Sequence, residues 1–278
     1  MLTKLQRGFN MPSKGKVRLT ELLVSRGFSA HPGEAERMIL AGRVLGNEKL
    51  LTQTGVLVDP NLTIRVKQVK RYVSRGGDKL AGALADFSVD VSGKHCLDAG
   101  ASTGGFTDCL LQHGAASVVA LDVAYGQFDW QLRSDERVRL YERTNVREAD
   151  PEEIGAPFDL LVVDLSFVSL CSVLAALTAY CSYETLLIAL VKPQFELPPA
   201  FVTRGIVEEG SCHVMALDQV IKAAELCGLA PQSVTFSRIR GTKGNIEFFL
   251  LAQYGGIPAT IDTLDVVARA HEGLDLKK

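Results

Sequence analysis

The stretch Cys96–Asp108, C-L-D-A-G-A-S-T-G-G-F-T-D, constrains this chain more than any other. His95 to Leu97 reads as the end of a buried strand, Asp98 to Gly105 as a tight loop, and Phe106 to His113 as the start of a helix. That order builds the ligand edge of a doubly wound sheet, where cofactors lie at the carboxyl ends of parallel strands. Gly100 removes a side chain where a ligand approaches the backbone, and Gly104 and Gly105 let the loop turn sharply into the helix. The spacing is G-x-x-x-G-G, not the G-x-G-x-x-G of dinucleotide sites. Asp98 would repel a pyrophosphate but accept a hydrogen bond from a cationic amino group. The expected ligand is therefore S-adenosylmethionine. Asp122 ends the next strand at the separation expected of a ribose-binding carboxylate. Without Asp122 the glycines would read equally well as a structural turn.

From Val89 onward strands and helices alternate. Strand cores fall at His95–Ala99, Ser117–Asp122, Arg137–Tyr141, Leu160–Asp164, Thr185–Val191, Ser233–Ser237 and Phe248–Gln253. Helices are expected at Gly104–His113, Val168–Tyr180 and Cys212–Cys227. The alternation implies an α/β, Rossmann-like domain with a mainly parallel sheet covered on both faces. Its expected limits are residues 79–256. Residues 257–278 lose the pattern and read as a tail, with a short helix around Ile261–His271.

Ahead of this domain the chain is different. Residues 1–17 form a basic tail without periodicity. Within 18–68, Leu19, Leu22 and Leu23 share one helical face before Gly27. Pro32 and Gly33 open a second helix with Ala35, Met38, Ile39 and Leu40 facing inward. Short runs at Arg43–Leu45 and Leu62–Val66 follow as strands, making a small α+β module. Residues 69–78 read as a linker. The net charge of −2 conceals +9 over residues 1–79 and −11 over the remainder. A basic end of this kind suits a polyanion, and Arg18, Arg26, Arg37, Arg43 and Lys67 are the candidate RNA contacts.

Hydrophobic residues make up 47% and charged residues 22%, as in ordinary soluble domains. The run Leu186–Val191 is far too short to span a membrane. No signal-peptide core occurs near the start, so the expected location is cytoplasmic, without stable membrane association. Six cysteines without a C-x-x-C pair read as reduced and buried, and no metal site is expected. The oligomeric state is not encoded in any feature of the sequence.

Four ionisable residues fall at or near strand ends: Lys79, Asp164 in V-V-D-L-S-F, Lys192 in V-K-P-Q-F-E, and Glu247 in I-E-F-F-L-L. Asp164 and Lys192 terminate apolar runs, where an unpaired charge is costly, so they should be paired or wet. Lys79 sits at an expected helix start, where the dipole disfavours a cation. A Lys-Asp-Lys-Glu set suits deprotonation of a sugar hydroxyl, because desolvation and a neighbouring cation tune a lysine into a base. The bland alternative for Asp164 and Lys192 is an ordinary ion pair capping two adjacent strands.

R-L-T-E-L-L-V-S-R-G-F followed by E-A-E-R-M-I-L-A-G-R-V-L-G-N resembles the S-four RNA-binding domain. His31 and Pro32 stand where that family usually carries a phosphate-touching Ser-Arg pair. From Val73 to Leu251 the chain resembles the FtsJ-like ribose methyltransferases, through V-S-R-G-G-D-K-L, D-A-G-A-S-T-G-G-F-T-D, V-V-D-L-S-F, V-K-P-Q-F-E and G-T-K-G-N-I-E-F. The combination is similar to the TlyA family, also called haemolysin-like. That resemblance implies 2′-O-methylation of ribose in ribosomal RNA, S-adenosylmethionine as donor, ribosomal RNA or subunits as partner, and Lys79, Asp164, Lys192 and Glu247 as the catalytic set. Lys192 is taken as the base, Asp98, Gly100, Ser102 and Gly104 as matches to the cofactor loop, Asp122 as the ribose contact, and Asn145 of R-T-N-V-R as an adenine-side contact. The rival readings are a catalytically silent ribosome-binding factor and a membrane-acting haemolysin.

Other residues receive plainer readings. Trp130 reads as packing, with a base-stacking platform as the alternative, and His113 as solvated. Tyr125 is split between flanking adenine and packing, and His213 belongs near a helix start. Phe195 and Glu196 would shape a substrate mouth, and Arg240 and Lys243 would meet RNA phosphate or solvent. RNA contact is further expected to reshape the linker around Arg71–Ser74 and complete the donor pocket.

Overall fold

The computed structural model describes residues 15–67 and 71–275, so most of the expected basic tail and linker residues 69 and 70 lie outside the described residues. The chain forms two compact units, 1–70 and 71–278.

The first unit contains β1 (Val17–Arg18), α1 (Leu19–Ser25), α2 (Pro32–Leu40), β2 (Val44–Gly46), β3 (Lys49–Leu50), β4 (Leu57–Val58) and β5 (Ile64–Val66). β1 pairs with β4, and β3, β2 and β5 form a second antiparallel sheet. Pro32 at the head of α2 donates no amide where none is needed, and His31 Nδ1 accepts from Glu34 N at 3.2 Å. Leu19, Leu22, Leu23, Ala35, Met38 and Ile39 form the core with Val44 and Ile64. Leu40 is 72% exposed, so the apolar face of α2 is narrower than expected. Arg18, Arg37 and Lys67 are exposed, while Arg43 is half-buried and donates to Lys67 O at 3.1 Å. Arg26 departs from its expected role. Its guanidinium donates to the carbonyls of Leu62 and Pro60, tying α1 to the loop before β5.

The second unit runs α3 (Arg75–Phe87), β6 (His95–Ala99), α4 (Gly105–Gln112), β7 (Ser117–Asp122), α5 (Trp130–Arg133), β8 (Val138–Glu142), α6 (Pro151–Ile154) and β9 (Phe158–Val163). It continues through α7 (Leu174–Leu177), β10 (Cys181–Val191), α8 (Pro193–Glu196), α9 (Gly210–Leu226), β11 (Leu229–Phe236), β12 (Phe248–Tyr254) and α10 (Thr263–Asp275). The seven strands lie in the order β8-β7-β6-β9-β10-β12-β11. β6 to β10 are parallel, and β12 runs antiparallel to both neighbours. Chain order reverses between β6 and β9, the switch point at which such sheets open a crevice. Because β12 is reversed, its first residues reach the edge where the parallel strands end, and Val191 pairs with Phe248.

Alternate strand residues feed two cores. Cys96, Val118, Leu160 and Ile188 face Leu80, Leu84, Phe106 and Leu110 of α3 and α4. Leu97, Val119, Leu161 and Leu187 face Leu174, Leu217, Val220 and Ala270 of α7, α9 and α10. Burial on both faces explains why these strands read as continuous apolar runs.

Three expected boundaries change. Residues 71–78 are part of the domain: Tyr72 is 2% exposed, Val73 N donates to Asp108 Oδ2 at 2.8 Å, and Ser74 caps α3 by accepting from Gly76 N. Lys79 therefore lies in the second turn of α3, which removes the dipole argument made for it. Residues 263–275 form a helix whose Val266, Val267, Ala270 and Leu274 enter the core, so this segment is not a tail. The helix expected over Val168–Tyr180 is broken into short turns around α7. Ser172 and Thr178 hydroxyls bond to nearby carbonyls and Glu196 captures Leu170 N, competing with a continuous helix. Among the described residues no helix is long and apolar enough to cross a membrane.

Candidate active site

The glycine loop leaves β6 and folds against β7 and β9. Gly100 N and Ala101 N both donate to Leu121 O, at 2.9 and 3.1 Å. Gly100 adopts φ +90°, and a Cβ there would lie 2.5 Å from the carbonyl oxygen of Asp164. Its glycine is thus demanded by two strand ends packed backbone to backbone, a more specific reason than ligand approach. Gly104, at φ +91°, is also a packing glycine: a Cβ would meet Leu132 Cδ1 at 2.5 Å and Phe128 Cε2 at 3.0 Å. It does not line the crevice.

Two chambers open at this edge. The larger, about 520 Å³, is lined by Asp122, Val123, Ala124, Asn145, Val146 and Phe167 among others. That size suits a small-molecule ligand. The smaller, about 240 Å³, is lined by Ser74, Arg75, Lys79, Phe106 and Thr242. Gly100, Ser102 and Asp164 border both. Asp122 is held from two sides, its Oδ2 accepting from Ser102 N at 2.6 Å and its Oδ1 from Ala124 N at 2.7 Å. Each oxygen keeps a further lone pair for a ligand. Asn145 Oδ1 accepts from Arg147 N at 3.1 Å, which orients the amide on the chamber wall.

Asp98 is placed differently from the expectation. It is fully buried beneath the loop and off both chamber walls, with Oδ2 accepting from Thr107 Oγ1 at 2.6 Å and Oδ1 without a partner. Burial pushes its pKa up to about 7 against the opposing Thr107 hydrogen bond, and the charges of Asp164 and Asp122 add to the rise.

The four strand-end residues form two ion pairs at the same edge. Lys79 Nζ pairs with Glu247 Oε2, their side chains 10% and 5% exposed. Lys192 Nζ lies 2.6 Å from Asp164 Oδ1 in a close ion pair without hydrogen-bond alignment, and donates to Ser166 Oγ at 2.7 Å. Register explains the convergence. Asp164 N donates to Ala99 O beside Gly100, and Val191 opposite Phe248 sets Lys192 and Glu247 at one end of adjoining strands. Two buried cations with two carboxylates avoid the several kcal/mol that an unpaired buried charge costs.

Ser166 and Phe167 received no role from the sequence, although they follow Asp164 directly in D-L-S-F. Phe167 is 91% exposed at φ +64° and its ring lies 5.3 Å from that of Phe195, which in turn sits 5.9 Å from Lys192 Nζ. An exposed phenyl in a left-handed conformation on a chamber wall is a signal visible only in three dimensions. Glu196 does not shape a mouth: it is buried and accepts from Ser169 Oγ and Leu170 N. Trp130 is 73% exposed and so is not a packing residue, and Tyr125 stacks under the Arg143 guanidinium at 4.3 Å. His113 is half-buried, its Nδ1 2.7 Å from Cys109 O.

A strand order that reverses beside a glycine loop, with an antiparallel penultimate strand, narrows the fold, and the match to a family model decides it: residues 72–254 match the FtsJ-like methyltransferase model. The chain belongs to the FtsJ-like methyltransferase family. This FtsJ-like chain is 43% identical over 84% of its length to 89% of the 16S/23S rRNA (cytidine-2′-O)-methyltransferase TlyA of Mycobacterium tuberculosis. It is 37% identical, over 84% of its length, to 98% of hemolysin A of Brachyspira hyodysenteriae. A solved structure of a hemolysin-named protein from Streptococcus thermophilus covers 95% of the chain and 99% of its own at 36% identity, with a TM-score of 0.73. The FtsJ-like domain thus includes Tyr72 to Tyr254, with both ion pairs and both chambers inside it.

Proposed function

We propose that this chain transfers a methyl group from S-adenosylmethionine to a ribose 2′-hydroxyl in ribosomal RNA. The observation that carries the reading is the wall shared by the two chambers, Gly100 against Asp164, with a carboxylate-rich side and a lysine-bearing side. The donor fits the first side. Asp98, Asp122 and Asp164 surround the loop closely enough that the latter two raise the proton affinity of Asp98. Such a negative field favours a ligand with sulfonium and ammonium charges and disfavours a pyrophosphate. Asp122 would hold the ribose, and Asn145 and Val146 the adenine side. When bound, S-adenosylmethionine supplies the electrophilic methyl carbon.

The chain's own residues then position and deprotonate the acceptor. The 2′-hydroxyl enters from the smaller chamber, and Nζ of Lys192, paired with Asp164 of the shared wall, takes its proton after first giving up its own and becoming a free amine. Asp164 Oδ1, at 2.6 Å, stabilises the ammonium so formed, and Ser166 Oγ orients Nζ. Lys79, held by Glu247, supplies a positive charge beside the developing alkoxide. The first unit serves as an RNA anchor through exposed Arg18, Arg37 and Lys67 and half-buried Arg43, mainly by phosphate contact. Similarity to a relative named for 16S and 23S cytidines makes ribosomal RNA the substrate to test first. Work on such RNA belongs in the cytoplasm.

The test is incubation of the purified chain with ribosomal subunits and labelled S-adenosylmethionine, followed by mapping of 2′-O-methylated riboses. Stoichiometric label at a discrete ribose supports the reading. Label on a base, or none on any ribosomal RNA, overturns it.

A further inference from the structure

The segment between α8 and α9 carries a tight turn that the mechanism does not use. Thr203 and Ile206 exchange both backbone hydrogen bonds at 2.9 Å, and the two residues between them, Arg204 at φ +52° and Gly205 at φ +83°, are both left-handed. This geometry makes a rigid two-residue hairpin that holds Arg204, which is exposed, at its tip. The hairpin is fastened by one buried side chain. Asn245, 2% exposed, accepts from Val207 N at 2.9 Å and donates to Gly205 O at 2.8 Å. Asn245 stands two residues before Glu247 and three after Thr242, which borders the smaller chamber.

Lys243 completes the arrangement. A Cβ on Gly205 would lie 3.0 Å from Lys243 Nζ, so the ammonium rests directly on the turn where glycine leaves room. Neither Arg204 nor Lys243 has a carboxylate within ion-pair distance among the described residues. Two cations without a carboxylate partner, Arg204 at the tip of the turn and Lys243 against its Gly205, thus lie on adjoining segments, Lys243 next in sequence to the chamber-lining Thr242. Cations on mobile loops lose backbone entropy on binding, whereas the backbone that presents Arg204 is already fixed by the turn. The exposed Glu208 and Glu209 follow the hairpin and confine the positive charge to its tip.

We infer that Arg204 and Lys243 form a phosphate clamp, gripping the RNA backbone next to the nucleotide whose ribose enters the smaller chamber, with Asn245 as the positioning residue that sets the clamp relative to Glu247. The inference rests on the proposed action upon RNA.

Two phosphate contacts to unpaired RNA give a slope of about 1.4 in log affinity against log salt, roughly 25-fold at 0.1 M salt. The experiment compares the full chain with the Arg204→Ala/Lys243→Ala double variant and with Arg204→Lys. It measures binding of ribosomal subunits without donor across a salt series, donor binding by calorimetry, and KM and kcat for RNA. The clamp predicts that the double variant loses about 25-fold in RNA affinity at 0.1 M salt and about 1.4 in slope. Donor affinity and kcat at saturating RNA stay unchanged, and Arg204→Lys keeps most of the binding. Asn245→Ala should raise KM for RNA and lower the salt slope in the same direction. Unchanged RNA affinity in the double variant overturns the clamp. So does a loss that leaves the salt slope intact, which would assign this rim to a protein or other uncharged contact. Failure of the wild-type chain to methylate ribosomal RNA refutes the earlier reading instead, while the salt series still judges the clamp.

Discussion

Asp98 offers a sharp thermodynamic test, because a fully buried carboxyl whose pKa is raised from 3.8 to about 7 makes stability depend on pH with a definite sign. Between about pH 4 and 7 the native state keeps a proton that the unfolded chain releases. Stability from this group is therefore full below pH 4, declines as pH rises, and levels off above 7. The span corresponds to about 4 kcal/mol. Asp98→Asn removes the titration while retaining shape, and its fixed cost or gain at the Thr107 contact is the same at every pH. For a unit of this size each kcal/mol moves Tm by about 2–4 °C. The variant should thus gain on the order of 10 °C in Tm relative to wild type between pH 4.5 and 8. His213 works in the opposite direction. Burial and the neighbouring His271 hold its pKa down at about 4, so its contribution is lost as pH falls from its ordinary 6.5. The wild-type curve alone therefore mixes both groups, and the wild-type-minus-variant difference isolates Asp98. Thermal melts followed by circular dichroism across pH 4.5–8.5 give that difference directly. Parallel curves would refute the buried-carboxylate argument, and with it the three-carboxylate field invoked for the methyl donor.

Four further expectations are accessible with single substitutions. Lys192→Ala should lower methyl transfer about 10²- to 10⁴-fold in single-turnover assays with donor affinity preserved, the range for loss of a general base; equal loss of donor binding would contradict the role. Glu247→Ala strands the Lys79 ammonium in a site where it is 10% exposed, and should cost about 3–5 kcal/mol by urea denaturation, whereas Lys79→Met/Glu247→Leu should cost much less. Gly104→Ala forces a left-handed alanine against Leu132 and Phe128 and should destabilise by about 2–4 kcal/mol, read from the denaturation midpoint. Arg26→Ala should destabilise the first unit by about 1–3 kcal/mol through its lost carbonyl bonds, seen as faster proteolysis within residues 15–67 at unchanged donor affinity.

The glycine loop and the strands were legible because both are written in local pattern: apolar runs that end in Asp98, Asp122, Asp164 and Lys192 mark strand termini wherever the chain folds. The pairing of Lys79 with Glu247 was not, since 168 residues separate them and only the antiparallel insertion of β12 brings them together. Residues 71–78 and 263–275 misled for a related reason. Glycines and charges there look like a connector, and an apolar stripe of four residues in a polar helix looks like a solvated end, until Tyr72 and Val266 are seen inside the core. Arg26 shows the limit of counting charges. A guanidinium can serve two carbonyls of its own fold as readily as a phosphate, and sequence does not distinguish the two.

The reversed strand β12 also governs when the site comes into being. During synthesis Lys79 emerges early and its counterion very late, after β11 has been made. Until that last hydrogen-bonded insertion, the nascent polypeptide holds an ammonium with nothing to neutralise it, so its surroundings must stay hydrated and open. A chain stalled before Glu247 would therefore lack the counterion that lets Lys79 be buried.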